Sequence, residues 1–85
     1  MVTSESTIIT IIGSLLKEIR KEKGFMQKDV AESVGITRAY LNKIENQKNE
    51  LYNLKLLTKL CALYNVKLST LVIKAERIID KKSDS

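Results

Sequence analysis

Apolar residues recur every three or four positions along several separate stretches of the chain, which is the spacing of amphipathic helices. The first stretch carries apolar residues on one face, at Ile8, Ile12, Leu15, Leu16 and Ile19. Gly24 follows basic residues, as is usual at the end of a helix. Residues 7–12 are all β-branched and would suit a strand as well, but the helical period continues through them, so we predict a helix.

Two shorter helices are predicted next, separated by a tight turn. A helix that begins at Gln27 is ended by Gly35, because a glycine most easily adopts the backbone conformation that reverses the chain. Thr37 is a favourable N-cap for a third helix, which runs from Arg38 to about Asn46.

Two further helices complete the predicted pattern. The polar residues 47–52 predict a loop, Asn53 is a favourable N-cap for a fourth helix, and a fifth helix begins near Leu68. No repeat, linker or low-complexity stretch divides the chain. We therefore expect a single domain over residues 1–80, followed by a polar tail over residues 81–85.

Composition agrees with a small helical domain. The chain has 85 residues, of which 44% are hydrophobic, so one core is all that it can build. It has no proline and only three glycines, whereas sandwiches and barrels need many turns. The predicted fold class is therefore all-α, with five helices.

Charge and the missing residue types narrow the function. The net charge of +5 suits a polyanionic partner, although charge alone does not identify one. The chain has no histidine and one cysteine, Cys61, so a Cys/His zinc site, a histidine-dependent nucleophile and an internal disulfide are excluded. We expect no cofactor, no metal and no enzymatic activity, and Cys61 fits a core position better than a redox sensor.

The chain shows no sequence signal for a membrane or for export. No apolar run approaches about 18 residues, so no membrane span is expected. The first seven residues contain no basic residue and do not resemble a signal peptide. A cytoplasmic protein is the expectation.

The residues with the clearest functional meaning lie between positions 27 and 46. Two helices that cross at a tight turn need a small residue at the crossing, which Ala31 supplies, and a flexible one at the turn, which is Gly35. The second helix needs apolar anchors, and Ile36, Leu41 and Ile44 stand at suitable positions. Together these positions predict a helix-turn-helix, with a simple packing corner as the alternative.

This pattern resembles the lambda-repressor-like (Xre/Cro) helix-turn-helix family of bacterial and phage regulators over residues 12–72. The resemblance is carried by residues 16–24 (LKEIRKEKG), 27–31 (QKDVA), 35–37 (GIT) and 41–46 (LNKIEN). Residues 38–41 (RAYL) look most like the controller proteins of restriction–modification systems. Two positions depart from the family pattern: Met26 stands where a capping residue is usual, and Gln47 where a glycine is common.

The third helix is the predicted recognition helix, and its outward face supplies the candidate base contacts. These are Arg38, Ala39, Tyr40, Asn42 and Lys43. Arg38 is the strongest candidate, because a guanidinium can donate to both acceptors of a guanine; the alternative is a solvated surface arginine. Lys43 could contact either a base or a phosphate. Tyr40 could contact the DNA or pack on the protein surface, and Ala39 could contact a thymine methyl group.

Phosphate contacts are predicted around this helix. The candidates are Gln27, Lys28, Thr37, Asn46 and Lys48. Gln27 begins the second helix, where free N–H groups favour an anion, and the family resemblance implies that it grips the DNA backbone. The resemblance also implies a structural ion pair between Arg20 and Glu45, with a phosphate as an alternative partner for Arg20.

Spare apolar residues predict a partner. Val72, Ile73 and Ile78, with some of Ile8, Ile9 and Ile11, exceed what a four-helix core needs, and exposed apolar surface on a small domain often marks an interface. The predicted dimer interface consists of Leu68, Val72, Ile73 and Ile78. A homodimer would place two recognition helices on a palindromic site with half-sites about 34 Å apart. The alternative is that these residues only cover the core of the monomer.

The sequence therefore predicts a homodimeric, sequence-specific transcription regulator that binds double-stranded DNA. It would repress by covering a promoter, or activate by recruiting RNA polymerase from beside one. A small prophage repressor or an antitoxin-type autoregulator is the alternative within DNA binding. A protein-interaction adaptor that uses the same fold without DNA is the alternative outside it.

Overall fold

A computed structural model describes residues 5–46 and 53–83 and confirms the all-α, five-helix prediction over those residues. The helices are α1 (Glu5–Glu22), α2 (Gln27–Val34), α3 (Arg38–Asn46), α4 (Leu54–Tyr64) and α5 (Leu68–Ser83). The predicted loop at residues 47–52 and the last two residues of the predicted tail lie outside the described residues.

Helix α1 includes the β-branched residues 7–12, so the helical prediction is confirmed there and the strand alternative is wrong. The reason is visible in the packing, because Ile12 and Leu16 are both buried in the core one helical turn apart. Burial of an amphipathic face outweighs the modest helix propensity of β-branched residues.

The first three residues of the predicted polar tail are helical. Helix α5 continues through Ser83, well beyond Ala75, its last fully buried residue. No glycine or proline interrupts this stretch, so backbone hydrogen bonds extend the helix at little cost per residue.

The predicted turn chemistry is present. Gly35 adopts a left-handed conformation with φ of 80°, and its N–H donates to the carbonyls of Ala31 and Glu32. Met26 precedes α2 without capping it, whereas the side chains of Thr37 and Asn53 accept hydrogen bonds from Tyr40 N at 3.0 Å and Leu56 N at 2.8 Å. Asn65 ends α4 at φ of 56°, a residue type that tolerates this region.

The core lies between α1 and the other helices. Its most completely buried large side chains are Tyr64, Leu16, Leu41, Ile44, Leu60, Leu71 and Val30. Because α1 packs against both α3 and α5, the helix-turn-helix and the C-terminal helix share one core. This core holds α3 rigidly while leaving its opposite face to solvent.

One close approach is not evident from the sequence. Gly13 lies buried in the middle of α1, and a Cβ atom built there would stand 2.0 Å from the carbonyl oxygen of Ile44. Helix α1 therefore meets the backbone of α3 at a point where only glycine fits.

Among residues 5–46 and 53–83, no single helix is long and apolar enough to cross a membrane. Helices α4 and α5 reach that length and apolarity only when they are taken together, as a pair bent by 102°.

Candidate nucleic-acid interface

Helix α3 presents one face to the core and the opposite face to solvent. Leu41, Ile44 and Glu45 are buried. Four of the five predicted base-contact residues, Arg38, Ala39, Asn42 and Lys43, are exposed. The fifth, Tyr40, is half-buried and packs against the core, so part of its ring serves the fold.

A buried ion pair joins α1 to α3. Arg20 Nε donates to Glu45 Oε2 at 2.8 Å, and Arg20 Nη2 donates to Glu45 Oε1 at 3.1 Å. Arg20 Nη1 also donates to the carbonyl of Phe25 at 2.8 Å, which ties the turn before α2 to the same group. All three guanidinium nitrogens thus serve protein acceptors, which makes this a structural pair and disfavours a phosphate as the partner of Arg20.

Gln27 connects the ion pair to the exposed face of α3. Its Nε2 donates to Glu45 Oε1 at 3.0 Å and to Asn42 Oδ1 at 3.3 Å, while its Oε1 accepts from Arg38 Nε at 3.5 Å. Both amide hydrogens of Gln27 are therefore occupied within the protein. For a phosphate contact, the backbone N–H groups at the start of α2 are better placed than the side chain.

Asn46, the last residue of α3, makes a second set of contacts with Asn42. Asn46 Nδ2 donates to Asn42 Oδ1 at 2.8 Å and to the Asn42 carbonyl at 3.2 Å, and Asn46 Oδ1 accepts from Lys17 Nζ. Lys17 lies on α1 and was not predicted as a site residue. The sequence could have indicated Lys17 as a site residue only through its position one helical turn before Arg20, which places it on the side of α1 that faces α3.

The remaining predicted phosphate contacts are placed differently from one another. Lys28 is exposed on the first turn of α2. Thr37 is exposed; its oxygen accepts from Tyr40 N, and its hydroxyl hydrogen can still be donated. Lys48 lies outside the described residues.

The predicted dimer residues do not form one exposed stripe. Leu68 and Val72 are half-buried and pack against the protein's own core, which corrects the view that Val72 exceeds the needs of that core. The reason is that α5 itself completes the core alongside α1. Ile78 is half-buried, and Ile73 is 48% exposed.

Two ionisable groups lie in the core beneath the interface. Cys61 is a buried free thiol, and burial raises its pKa. The ring of Tyr64 stacks on Phe25 with centroids 6.0 Å apart, and its hydroxyl has no hydrogen-bond partner in the described part of the chain. Burial, with a smaller contribution from the Glu45 charge, raises the pKa of Tyr64 to about 12, although the Arg20 charge opposes the shift.

Two short helices joined by a glycine turn, the second exposed along one side and anchored from below by an ion pair, define a helix-turn-helix DNA-binding protein. The sequence model of a helix-turn-helix family matches residues 16–71. The chain belongs to this family, which is of the lambda-repressor (Xre) type, and it is a DNA-binding transcription regulator.

Two known proteins illustrate the relationship. The HTH-type transcriptional regulator SinR of Bacillus subtilis is 34% identical over 76 residues, covering 88% of this chain and 68% of SinR. The ImmF control region 10 kDa protein of Bacillus phage phi105 is 33% identical over 70 residues, covering 82% of this chain and 77% of the phage protein.

Solved structures agree with the fold. SinR, the master regulator for biofilm formation, in complex with DNA superimposes with a TM-score of 0.65 at 34% identity, covering 72% of this chain and 97% of that one. The clp gene regulator ClgR from Corynebacterium glutamicum gives a TM-score of 0.80 at 21% identity, over 91% of this chain and 81% of its own. The ClgR match supports the fold alone.

Proposed function

We propose that this regulator binds a palindromic DNA operator as a homodimer, with α3 of each subunit in the major groove. The observation that carries the proposal is the exposed face of α3 together with its anchorage. Arg38, Asn42 and Lys43 face solvent on a helix that the buried Arg20–Glu45 pair holds against α1. A rigidly held helix with basic and amide side chains on its free face suits direct readout of base edges.

The roles of the individual side chains follow from their positions. Arg38 begins α3, where a long side chain reaches the bases first, and it is the proposed reader of a guanine. Lys43 lies further along the same helix and is the proposed contact to a second base or to a phosphate. Ala39 leaves room for a thymine methyl group. Tyr40 contacts the flank of the site with the part of its ring that the core leaves exposed.

Phosphate contacts flank the helix and set its register on the DNA. We assign them to the first turn of α2, at Gln27 and Lys28, and to Thr37 before α3. Asn46 and Lys48, at and after the end of α3, are assigned to the opposite side. Asn46 must exchange at least one of its intramolecular hydrogen bonds to reach a phosphate.

Dimerisation is proposed through the exposed side of α5, centred on Ile73. Half-buried Leu68, Val72 and Ile78 would contribute their exposed edges. Two copies related by a two-fold axis would read half-sites about 34 Å apart, one turn of the duplex. We place the single folded domain at residues 1–80 and the protein in the cytoplasm, where its DNA target lies.

The regulatory setting has two candidates. The names of the relatives, a transcriptional regulator and a phage control-region protein, favour a small chromosomal or phage repressor. Residues 38–41 favour a restriction–modification controller, which would also recruit RNA polymerase from some operator positions. A restriction, toxin or phage immunity gene beside the coding sequence would distinguish these settings.

Selection of bound duplexes from a random pool tests binding, symmetry and half-site spacing together. The selected operator and a scrambled duplex are then titrated at several salt concentrations. We expect a two-fold symmetric consensus and an affinity that falls steeply with salt, because Lys and Arg contacts release counterions. No sequence preference and no salt dependence would contradict the proposal and favour a protein-interaction adaptor.

Arg38→Ala tests the recognition helix directly. We expect it to lose discrimination at one base pair by about 1–3 kcal/mol per half-site. The control is Lys59→Ala, which removes one positive charge from an exposed position on α4. If Arg38→Ala keeps the wild-type consensus, α3 does not read that base.

A further inference from the structure

The exposed amides of α2 and α3 form a directed hydrogen-bond chain with a charged group at each end. At one end lies the Glu45 carboxylate, which only accepts hydrogen bonds, and at the other lies the Lys17 ammonium, which only donates them. Gln27, Asn42 and Asn46 lie between them. Because one end only accepts and the other only donates hydrogen bonds, each of the three side-chain amides has one orientation in which every donor meets an acceptor.

From the Glu45 end, the orientation of Gln27 follows from the carboxylate. Glu45 Oε1 is met by Gln27 Nε2, and Gln27 Oε1 accepts from Arg38 Nε. Turning the Gln27 amide over would oppose oxygen to carboxylate and N–H to guanidinium. Gln27 therefore donates an N–H to Asn42, which must accept it with Oδ1.

From the Lys17 end, the same result is reached independently. Lys17 Nζ can only donate, so Asn46 receives it with Oδ1 and turns Nδ2 toward α3. Asn46 Nδ2 then donates to Asn42 Oδ1 at 2.8 Å. Asn42 Oδ1 is thus held inward by two donors on two different helices.

Asn42 Nδ2 is left facing outward. Among the described residues no protein acceptor receives a hydrogen bond from it, and Asn42 is exposed on the same side of α3 as Arg38. An unconstrained asparagine pairs with adenine by donating to N7 and accepting from N6. Asn42 has its oxygen occupied, so that pairing is closed to it.

We propose that Asn42 contacts DNA as a donor only, and that Lys17 and Glu45 are the positioning residues that set this polarity. The matching DNA atom is a hydrogen-bond acceptor: guanine O6 or N7, adenine N7, thymine O4, or a phosphate oxygen. If the contact is to a base, the operator carries G, A or T at the Asn42 position and not C, which offers only a donor in the major groove. This inference rests on the proposed placement of α3 on DNA and deepens it.

The first test measures the affinity of wild type, Asn42→Ala and Asn42→Asp for four operator duplexes that differ at one base pair. That base pair is the one at which Asn42→Ala loses the wild-type base preference. Asp keeps the shape and the inward oxygen but turns an acceptor outward. We expect wild type to favour G, A or T over C by about fivefold, the worth of one hydrogen bond, and Asn42→Asp to favour C or A over G and T. Thr58→Asp adds the same negative charge at an exposed position on α4 and controls for net charge.

A phosphate contact gives a different supporting result. In that arm Asn42→Ala changes no base preference, and it weakens binding to the selected operator and to its single-base variants by about the same fivefold factor. A wild-type preference for adenine over guanine and thymine, or for cytosine, that Asn42→Ala removes would overturn the inference. Unchanged binding of all duplexes by both variants would overturn it as well.

The second test addresses Lys17 as a positioning residue. Lys17→Met removes the donor that orients Asn46, while Lys21→Met removes the same charge one helical turn away from an exposed side chain. For a base contact, we expect Lys17→Met to lower the affinity ratio between the guanine and cytosine duplexes, and Lys17→Arg to restore it. For a phosphate contact, we expect Lys17→Met to weaken all duplexes more than Lys21→Met does. Equal effects of Lys17→Met and Lys21→Met on every duplex would overturn the role of Lys17.

These outcomes are separable from a failure of the proposed function. If the wild-type protein shows neither sequence preference nor salt-dependent affinity for any duplex, the DNA-binding geometry itself is wrong. If it binds a selected operator but Asn42 selects adenine over guanine, or selects cytosine, only the polarity of the amide chain is wrong.

Discussion

Gly13 in α1 lies directly against the carbonyl oxygen of Ile44 in α3, and a Cβ atom at Gly13 would stand 2.0 Å from that oxygen. Real Cβ atoms do not approach a backbone oxygen so closely, so any side chain there would push the two helices apart. The recognition helix is thus seated on α1 by a backbone contact as well as by the Arg20–Glu45 pair.

Replacing Gly13 by alanine tests this seat. In most helices Gly→Ala is stabilising by about 1 kcal/mol, because alanine has the higher helix propensity. Here overpacking against a backbone atom outweighs that gain, and we expect a net loss of about 2 kcal/mol in the free energy of unfolding. Denaturant unfolding measures the change. Ser14→Ala, at the exposed next position, is the control and should be neutral or slightly stabilising.

The buried ion pair should be intolerant of losing one partner. Glu45→Ala leaves the Arg20 guanidinium buried without its carboxylate, and we expect a loss of about 3–5 kcal/mol in stability. Glu45→Gln keeps the shape and one acceptor oxygen, so it should cost less. Equal and small losses for both variants, measured by denaturant unfolding, would show that the pair does not hold α3 in place.

Tyr64 should make stability fall at alkaline pH. Its pKa is raised from 10.0 to about 12 in the folded protein, so the unfolded chain loses the phenol proton first as pH rises. The contribution is fully present below pH 10 and is lost progressively as pH rises toward about 12. Tyr64→Phe removes this component. The difference in unfolding free energy between wild type and Tyr64→Phe, followed across that range, measures it.

The same variant should not be destabilising near neutral pH. The Tyr64 hydroxyl is buried without a partner in the described part of the chain, and an unsatisfied buried polar group costs about 1–3 kcal/mol. Removing it should leave stability unchanged or raise it. A clear loss at neutral pH would reveal a hydrogen bond that the hydroxyl does make in solution.

Cys61 should be unreactive in the native protein. It is 4% exposed, and burial raises the pKa of its thiol, so little thiolate is present and little of it is accessible. We expect a thiol reagent to label Cys61 only at the rate at which the protein opens, and fully in denaturant. Rapid labelling under native conditions would favour the redox-sensor alternative.

Ile73 should matter for self-association more than for folding. It is 48% exposed on α5, so Ile73→Glu removes little buried surface but places a charge in the proposed dimer interface. We expect weaker dimerisation by sedimentation equilibrium and weaker binding to a two-fold operator, with the unfolding curve of the monomer little changed. Leu54→Glu, at another exposed apolar position, is the control. Dissociation by Leu54→Glu alone would place the interface elsewhere.

The local features of this protein could be predicted from the sequence. The apolar period identified all five helices, and Gly35, Thr37 and Asn53 marked turns and caps that the structure confirms. The same period placed Arg38, Ala39, Asn42 and Lys43 on the free face of α3. Helical period and capping depend on residues within one or two turns of each other, so the chain encodes them locally.

Only the tertiary structure decided how those elements meet. Lys17 joins Asn46 across 29 residues, and Gly13 meets Ile44 across a similar separation. The outward N–H of Asn42 depends on two partners from different helices, and half-buried Val72 packs against the core because α5 packs on α1. Close approaches and the polarity of hydrogen bonds belong to pairs of residues brought together by packing, and no periodicity in the sequence records them.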